Sequence, residues 1–238
     1  MTIHGGSQSM ADLQSLSETL ESKQPWEILG AAIERYVPKI VLACSFGAED
    51  VALVDMVKRI NPDIPLFYLD TEFLFPETYD TRDRIIDRYQ LKPTQIIQVK
   101  SLLTPERQAE QYGGALWERE PDRCCQLRKV EPLTRVLKSF DAWITGIRRD
   151  QAPTRANARV IEWDEKFGLV KVNPLARWTW TDVWAYIRLH DIPYNLLHER
   201  NYPSIGCTHC TAPVDPGDDP RAGRWKNFGK TECGLHKA

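Results

Sequence analysis

The stretch Ile40-Val41-Leu42-Ala43, followed by the turn Ser45-Phe46-Gly47-Ala48, decides the fold class. Four consecutive apolar residues without alternation are typical of a strand that is buried on both faces. After the turn, apolar residues recur at helical spacing from Val51 to Ile60. A doubly buried strand that leads directly into a helix is the basic unit of a parallel α/β sheet.

The same pattern recurs along the chain. Further strands are predicted at Leu66–Leu69, Gln95–Val99 and Ala142–Thr145. Helices are predicted over residues 13–36, ended by Pro38, and over 76–89, Cys125–Leu137 and Thr181–His190, the last capped by Thr179 or Thr181. A hairpin is predicted around Phe167-Gly168. The alternation predicts an α/β fold: a mostly parallel twisted sheet with helices on both faces, followed by a mobile C-terminal tail.

Composition narrows the function classes. The 238 residues are 42% hydrophobic and 27% charged, which is typical of a globular protein. The formal net charge is −2, so no basic field indicates a nucleic-acid partner. The apolar runs are too short to cross a bilayer, and no secretory signal opens the chain. We therefore expect a cytoplasmic protein with no membrane partner.

Two loops follow predicted strands, where ligands bind in open α/β sheets. In the first loop, Ser45 and Gly47 precede a helix, an arrangement that suits a phosphate or sulfate but that also occurs in ordinary turns. The loop lacks the standard ATPase phosphate-binding pattern. In the second loop, Asp70 offers a carboxylate to a ribose or an adenine amino group, or it caps a local turn.

Six cysteines remain to be explained in a reducing compartment. Cys124 and Cys125 are adjacent, and Cys207 and Cys210 form a CxxC pair. Four thiolates suit either a tetrahedral zinc ion or an iron–sulfur cluster. Zinc ribbons usually carry two CxxC pairs at shorter separation, so this pattern favours a cluster and leaves zinc as the alternative. Cys44 lies in an apolar strand and is predicted to be a small buried residue.

Charged residues accompany these cysteines. Arg128 and Lys129 lie four residues after Cys124 and Cys125, so on a helix they face the thiolates, unless they are ordinary solvated charges. Cys233 stands alone near the end of the chain, beside Lys230, His236 and Lys237. Neighbouring cations favour the reactive thiolate, although an incidental surface thiol would look the same.

Six motifs carry a resemblance to a known family. They occur in the order Ser45-Phe46-Gly47-Ala48-Glu49-Asp50, Leu69-Asp70-Thr71, Cys124-Cys125-Gln126-Leu127-Arg128-Lys129, Gly146-Ile147-Arg148-Arg149-Asp150-Gln151 with Thr154-Arg155, Cys207-Thr208-His209-Cys210, and Glu232-Cys233-Gly234-Leu235-His236. From about residue 25 to 238, the chain resembles the assimilatory adenylylsulfate reductases, the iron–sulfur branch of the adenylylsulfate and phosphoadenylylsulfate reductase family.

The resemblance implies a reaction and its partners. It implies an adenine nucleotide alpha-hydrolase-like fold and thioredoxin-dependent reduction of adenosine 5′-phosphosulfate to sulfite and AMP, with thioredoxin or glutaredoxin as reductant. Cys233 would be the nucleophile and would form an S-sulfocysteine, with Lys129 and His236 as further catalytic residues. A 4Fe–4S cluster would be held by Cys124, Cys125, Cys207 and Cys210. The substrate would be bound by Ser45, Gly47, Asp70, Thr71, Arg148, Arg149, Arg221 and Arg224.

The implied organisation has three parts. Residues 1–24 are expected to be a flexible N-terminal segment, 25–214 the nucleotide- and cluster-binding domain, and 215–238 the tail that carries Cys233. We expect a homo-oligomer, and Trp178, Trp180 and Trp184 suit either a core or a subunit contact. Three other functions remain open: reduction of the 3′-phosphorylated substrate, alone or as well; tRNA thiolation; and a zinc-stabilised, non-catalytic nucleotide-binding regulator.

Overall fold

A six-stranded sheet forms the centre of the computed structural model, which describes residues 10–226, 230, 232, 234 and 235. The strands are β1 (Ile40–Ala43), β2 (Leu66–Asp70), β3 (Ile96–Lys100), β4 (Ala142–Ile144), β5 (Ile161–Asp164) and β6 (Leu169–Val172). Their order is β3-β2-β1-β4-β6-β5. All neighbours are parallel except β5, which pairs antiparallel with β6 at the edge. The predicted mostly parallel α/β fold is confirmed.

Nine α-helices are described in the same part of the chain: α1 (Met10–Leu20), α2 (Pro25–Tyr36), α3 (Ala48–Ile60), α4 (Pro76–Tyr89), α5 (Pro105–Tyr112), α6 (Leu116–Arg119), α7 (Pro121–Cys125), α8 (Glu131–Leu137) and α9 (Trp180–Leu189). None of the described helices is long and apolar enough to span a membrane.

Alternating strand residues build two cores, one on each face of the sheet. Ile40 and Leu42 of β1 pack into a large cluster with residues of α2, α3 and α9. Val41, between them, joins the second cluster with Leu133 and Leu137 of α8. Because both faces are covered, a strand without polar residues is the stable choice at the centre of the sheet.

The N-terminal region differs from the prediction. The helical pattern over residues 13–36 forms two helices, because Pro25 lacks an amide proton and occupies the first turn of α2 instead of a helix interior. Residues 10–20 form a helix whose Leu13 and Leu20 are buried, and α1 packs against β5. The flexible segment expected over 1–24 therefore does not include α1, and residues 1–9 lie outside the described residues.

The predicted helix Cys125–Leu137 is also interrupted. Residues Gln126–Val130 form a π-helical turn between α7 and α8, in which the amide of Glu131 donates to the carbonyl of Gln126. Pro132 follows immediately and cannot donate to the carbonyl four residues earlier, so a regular α-helix cannot continue through it.

Candidate active site

The strand order reverses between β1 and β4, and a cavity opens at the carboxyl ends of these two strands. Its volume is about 310 Å³, and the loops that follow both strands line it. Ligands bind at this switch point in doubly wound sheets because the loops on either side diverge and leave a crevice. The arrangement places the two loops singled out in the sequence on one cavity.

The loop after β1 is held by a buried carboxyl group. Asp50 accepts hydrogen bonds from the Ser45 amide and from the Ser45 hydroxyl, each at 2.6 Å. Burial raises the pKa of Asp50 to about 6, against the hydrogen bonds from Ser45. A side chain at Gly146 would collide with Asp50, so glycine permits the loop after β4 to approach this closely. Ser45 and Gly47 both line the cavity.

The adjacent arginines Arg148 and Arg149 separate at the loop after β4. Arg148 lines the cavity, pairs with Glu49 at 2.9 Å and also contacts Asp150. Arg149 is not among the described residues that line the cavity. It donates to both carboxylate oxygens of Glu21, at 2.6 and 2.9 Å. The structure thus places Arg148 with the other candidates and directs Arg149 toward the chain that follows α1.

The two candidate residues at the end of β2, Asp70 and Thr71, also have different surroundings. Thr71 lines the cavity, and its hydroxyl lies 3.3 Å from the Cys207 sulfur. The Asp70 carboxylate is buried and accepts hydrogen bonds from Tyr79 at 2.7 Å and Gln98 at 2.5 Å. Asp70 is not a described lining residue of the cavity. Its contacts fit a structural role in the crossing from β2 to α4.

Besides Arg148, four cationic side chains line the cavity: Lys129, Arg155, Arg221 and Arg224. The buried indole of Trp225 lies beneath two of them, with ring-to-guanidinium distances of 4.5 Å for Arg224 and 6.0 Å for Arg221. Guanidinium groups that stack on aromatic rings can still donate hydrogen bonds in their own plane. Here Arg221 donates to Glu232 at 3.2 Å, and Arg224 donates to the carbonyls of Cys210 and Ile205 at 3.3 Å each. We call these four residues the basic wall. The sequence had indicated only Lys129, Arg221 and Arg224 as site residues.

The four candidate cluster cysteines converge beside the basic wall. Cys124, Cys125 and Cys207 are buried, and Cys210 is partly buried. Burial, together with the charges of Cys125, Cys207 and Cys210, raises the pKa of the Cys124 thiol to about 12. The two distant pairs predicted from the sequence are therefore brought together in the fold.

The donor set of this region is four thiols, which suits either a tetrahedral zinc ion or an iron–sulfur cluster. Cys124, Cys125, Cys207 and Cys210 are close enough to act on one another electrostatically. Among the described residues, no group of three or more His, Cys, Asp or Glu side chains is arranged to hold a metal ion. The residues present therefore fit a metal group by their chemistry, and its identity belongs to the proposed function.

Lys129 and Arg128 have different surroundings. Lys129 lines the cavity, and its charge lowers the pKa of Cys210, although burial and Cys207 raise that pKa to about 11 overall. Arg128 is buried and donates to Glu72 at 2.9 Å and to Gln108 at 2.6 Å. Lys129 thus lies between the cysteines and the cavity, whereas Arg128 is paired with an acidic partner beside them.

Cys233 and His236 lie outside the described residues. The residues beside Cys233 are described: Glu232 is buried and lines the cavity, the carbonyl of Gly234 accepts from Lys166, and Leu235 also lines the cavity. The described part of the tail is therefore packed on the active-site side of the molecule. The mobility of residues 215–238 stays a prediction.

Several cavity residues were not identified as site residues from the sequence. They are Glu49, Asp50, Gln151, Arg155, Trp180, His198, Trp225 and Glu232. Arg155 and Glu232 were present within the quoted motifs, so their position in those motifs was an available signal. Trp180 and His198 come from distant segments without a local pattern, and only the fold brings them to the cavity.

Known proteins share this chain's sequence and fold. Residues 39–213 match the family described as the phosphoadenosine phosphosulfate reductase domain. The chain is 49% identical over 226 residues to the adenosine 5′-phosphosulfate reductase of Halalkalibacterium halodurans, a match that covers 95% of this chain and 97% of the relative.

Solved structures agree with the family match. The crystal structure of phosphoadenylyl-sulfate reductase from Candida auris in complex with phosphate is similar with a TM-score of 0.75 and 34% identity, over 87% of this chain and 99% of that chain. The FMN adenylyltransferase of Candida glabrata, with a TM-score of 0.57 and 17% identity, covers 92% of this chain and 72% of its own and shares the fold alone.

Proposed function

Because the chain belongs to the phosphoadenosine phosphosulfate reductase family, we propose that it reduces adenosine 5′-phosphosulfate to sulfite and AMP. The family membership predicted from the sequence motifs is confirmed. So is the predicted enzyme class, an oxidoreductase that acts on a sulfur group in sulfate assimilation. The remaining details of substrate placement, nucleophile, cluster and reductant belong to the proposal.

Charged side chains of both signs line the cavity. Near β1 and β4, Glu49 is paired with Arg148 at 2.9 Å, and the charge of Arg155 acts on Asp50, so the carboxyl groups of these loops are largely offset by arginines. The guanidinium groups of the basic wall match the planar oxyanions of phosphate and sulfate. The nucleoside would lie at the β1 and β4 loops, with the phosphosulfate directed toward the basic wall.

The chemical step would use the thiolate of Cys233. The thiolate attacks the sulfur of the substrate's sulfate group, a sulfur–sulfur bond forms, and the bond from sulfur to the bridging oxygen breaks. AMP leaves with the electron pair of that bond, and Cys233 is left as S-sulfocysteine. Negative charge grows on the departing phosphate oxygen, where fixed cations such as those of the basic wall stabilise the transition state most.

A dithiol reductant of the thioredoxin or glutaredoxin type would complete the cycle. Its thiolate attacks the Cys233 sulfur, forms a mixed disulfide and releases sulfite. The second thiol of the reductant then attacks the mixed disulfide and restores the Cys233 thiolate. The reductant supplies both electrons and leaves as a disulfide, so atoms and charges balance without another redox partner.

Cys124, Cys125, Cys207 and Cys210 would hold a 4Fe–4S cluster. When bound, the cluster would supply a fixed charged group beside the substrate site and tie the two cysteine pairs together. Lys129 is the residue of this chain that faces both regions, because it lines the cavity and acts electrostatically on Cys210. It would orient the phosphosulfate by contact with its oxygens.

The observation that carries the proposal is the basic wall, set at the sheet's switch point beside four converging thiols. Mass spectrometry after mixing with adenosine 5′-phosphosulfate, without reductant, tests it. We expect an adduct with the mass of one sulfite group on the peptide that contains Cys233. Active protein without that adduct would refute the nucleophile. A colourless, iron-free active protein would refute the cluster.

Reduction of the 3′-phosphorylated substrate is the second candidate, favoured by the 34% identity to the phosphoadenylyl-sulfate reductase of Candida auris. Beside the ribose, the carboxyl groups of Glu49 and Asp50 would oppose a 3′-phosphate, whereas the neighbouring Arg148 and Arg155 would favour it. A comparison of kcat/KM for the two nucleotides with the same reductant distinguishes the candidates. A higher value for the 3′-phosphorylated nucleotide would reverse the assignment.

A further inference from the structure

The residue before the proposed nucleophile is a buried carboxylate held by two arginines of the basic wall. Glu232 is 2% exposed. Arg155 donates to both of its oxygens, through Nε and Nη2 at 2.9 Å each. Arg221 adds a hydrogen bond at 3.2 Å, and the Thr154 hydroxyl adds another at 3.3 Å. Among the described residues of the tail, this is the most extensively bonded side chain.

The electrostatic balance at Glu232 favours its charged form. Burial opposes ionisation, but the guanidinium groups of Arg155 and Arg221 hold the pKa of Glu232 below its ordinary value. A bidentate arginine–carboxylate pair fixes both distance and orientation, which a single charge contact does not. Buried ion pairs add little net stability compared with apolar packing, but they specify one arrangement of the groups. Such a pair suits a segment whose position matters more than its contribution to folding.

The other described tail residues contact different elements. The side chain of Lys230 is 7% exposed and pairs with Asp122 at 2.7 Å. It also donates to the carbonyl of Pro121 at 3.3 Å, close to the cysteine pair of α7. Gly234 accepts from Lys166, in the turn between β5 and β6. Glu232 lies between these two attachments along the chain. Its partners Thr154 and Arg155 come from the loop after β4, so it connects the tail to the substrate cavity.

We infer that Glu232 is a positioning residue: its ion pair with Arg155 and Arg221 sets the placement of the adjoining Cys233 relative to the substrate cavity. The inference rests on the proposed function, because the role of Cys233 does. The ion pair also has a cost for nucleotide binding. The carboxylate neutralises part of the basic wall, so it competes with the anionic groups of the nucleotide for Arg155 and Arg221.

Loss of the Glu232 charge should therefore lower kcat without weakening AMP binding, whereas a general loss of folding would impair both. Glu232→Gln keeps the size of the side chain and removes its charge, which loosens the tail and leaves both arginines available to the nucleotide. We expect kcat to fall between about 10- and 100-fold, the loss that follows from misplacing a reacting group. The dissociation constant for AMP should stay unchanged or decrease. Glu232→Asp, which retains the charge on a shorter side chain, should restore part of kcat.

Tail attachment can be measured without the reaction. In the described structure Lys230 has 7% of its side chain exposed, so trypsin should cut after it slowly. In Glu232→Gln the release of residues 231–238, followed by mass spectrometry, should accelerate about tenfold or more because a local opening exposes the site. Glu21→Gln is the matched control: it breaks the bidentate pair with Arg149, which lies outside the cavity, and should change neither tail release nor AMP binding.

The outcomes separate this inference from the proposed function. If wild type forms the sulfite adduct on Cys233 and Glu232→Gln forms it equally fast, the positioning role is wrong and the nucleophile stands. Unchanged trypsin cleavage in Glu232→Gln would also overturn it. So would AMP affinity that falls in proportion to kcat, because that result indicates a general structural defect. If active wild type forms no adduct, the proposed mechanism itself fails.

Discussion

At the scale of single residues, Asp50 makes stability depend on pH. Its pKa is raised by burial from 3.8 to about 6, so the folded state binds the proton more tightly than the unfolded state does. The stabilisation from the proton is complete below pH ~4 and is lost as the pH rises through about 6. A shift of about two pKa units corresponds to about 3 kcal/mol.

Asp50→Asn should remove this dependence. The amide resembles the protonated carboxyl group, so the variant should gain up to about 3 kcal/mol relative to wild type between pH 4 and 7. Urea unfolding at several pH values measures the difference in the free energy of unfolding between the variant and wild type. Groups that titrate in both proteins contribute equally and cancel in this difference. Asp141→Asn, at a largely exposed carboxyl group paired with Lys39, is the control and should follow wild type. A constant difference between Asp50→Asn and wild type at all pH values would contradict the buried carboxyl as the cause.

Lys129 should affect catalysis more than cluster assembly. Its ammonium group lies between the cavity and Cys210, so Lys129→Ala removes a cation from the place where negative charge develops. We expect kcat/KM to fall about 100-fold, as when one fixed donor is removed from an oxyanion site. Iron content should be unchanged, because lysine does not ligate the cluster. Lys138→Ala, at the exposed end of α8, is the control; undiminished turnover in Lys129→Ala would exclude the residue from the mechanism.

The sequence identified which residue types to expect at the site better than it identified where each side chain points. Arg148 and Arg149 occur in the same motif, yet only Arg148 lines the cavity, because the chain turns between them and Glu21 draws Arg149 away. The carboxylate of Asp70, a ligand candidate from the sequence, accepts hydrogen bonds from Tyr79 and Gln98, so its part in substrate binding stays a prediction. Such choices depend on partners distant in sequence, and a single chain without its fold does not specify them.

At the scale of elements, the start of α9 can be tested. The sequence left Thr179 and Thr181 as alternative caps, and the structure selects Thr179: its hydroxyl accepts from the Asp182 amide, while Asp182 accepts from the Thr179 amide at 2.8 Å. Thr179→Ala should lower the free energy of unfolding by about 1 kcal/mol. Thr181→Ala, exposed inside the first turn, should be neutral or slightly stabilising. Equal losses in the two variants, measured by urea unfolding, would contradict the cap.

Elements with strong local patterns were predictable, whereas interruptions were not. The strands β1, β2, β3 and β4 were found because apolar runs between turns have few alternative structures. The π-helical turn at Gln126–Val130 was missed, because its sequence is compatible with an ordinary helix until the effect of Pro132 is considered. The short turns around the CxxC pair have no periodicity at all and depend on contacts such as that between Thr208 and the carbonyl of Phe73.

At the scale of the whole molecule, the sheet order explains why one cavity collects motifs from the full length of the chain. The outward progression from β1 to β2 and β3, and then from β4 to β6, leaves the ends of β1 and β4 side by side. Residues after Val172 return to cover this edge, and Trp180, His198 and Arg221 all line the cavity. The sequence predicted the sheet, but it did not predict which distant loops would close over it.

The proposed cluster would cross-link two distant parts of this architecture. It would join α7 to the CxxC segment. That segment also contacts the loop after β2, through the Leu74–Cys207 bridge and the hydrogen bond from Thr208 to Phe73, and α6, through the stacking of His209 on Trp117. A cross-link that closes a loop of this length stabilises the folded state by about 4 kcal/mol in the chain-entropy description of disulfides. Removal of the iron should therefore loosen residues 203–226 before the sheet, whose two apolar cores do not depend on the cluster.

Three measurements on holo and iron-depleted protein test this order of events. Depletion should lower the urea midpoint, and proteolytic cuts should appear first in residues 203–226, while far-ultraviolet circular dichroism keeps the signal of the sheet and helices. Cys207→Ser should reproduce the depleted behaviour. Cys44→Ala, at a buried cysteine that belongs to neither cysteine pair, should retain iron and the holo cleavage pattern. Equal midpoints and identical cuts with and without iron would show that the cluster does not hold the CxxC segment in place, and the stability of that segment would then have to come from the protein contacts alone.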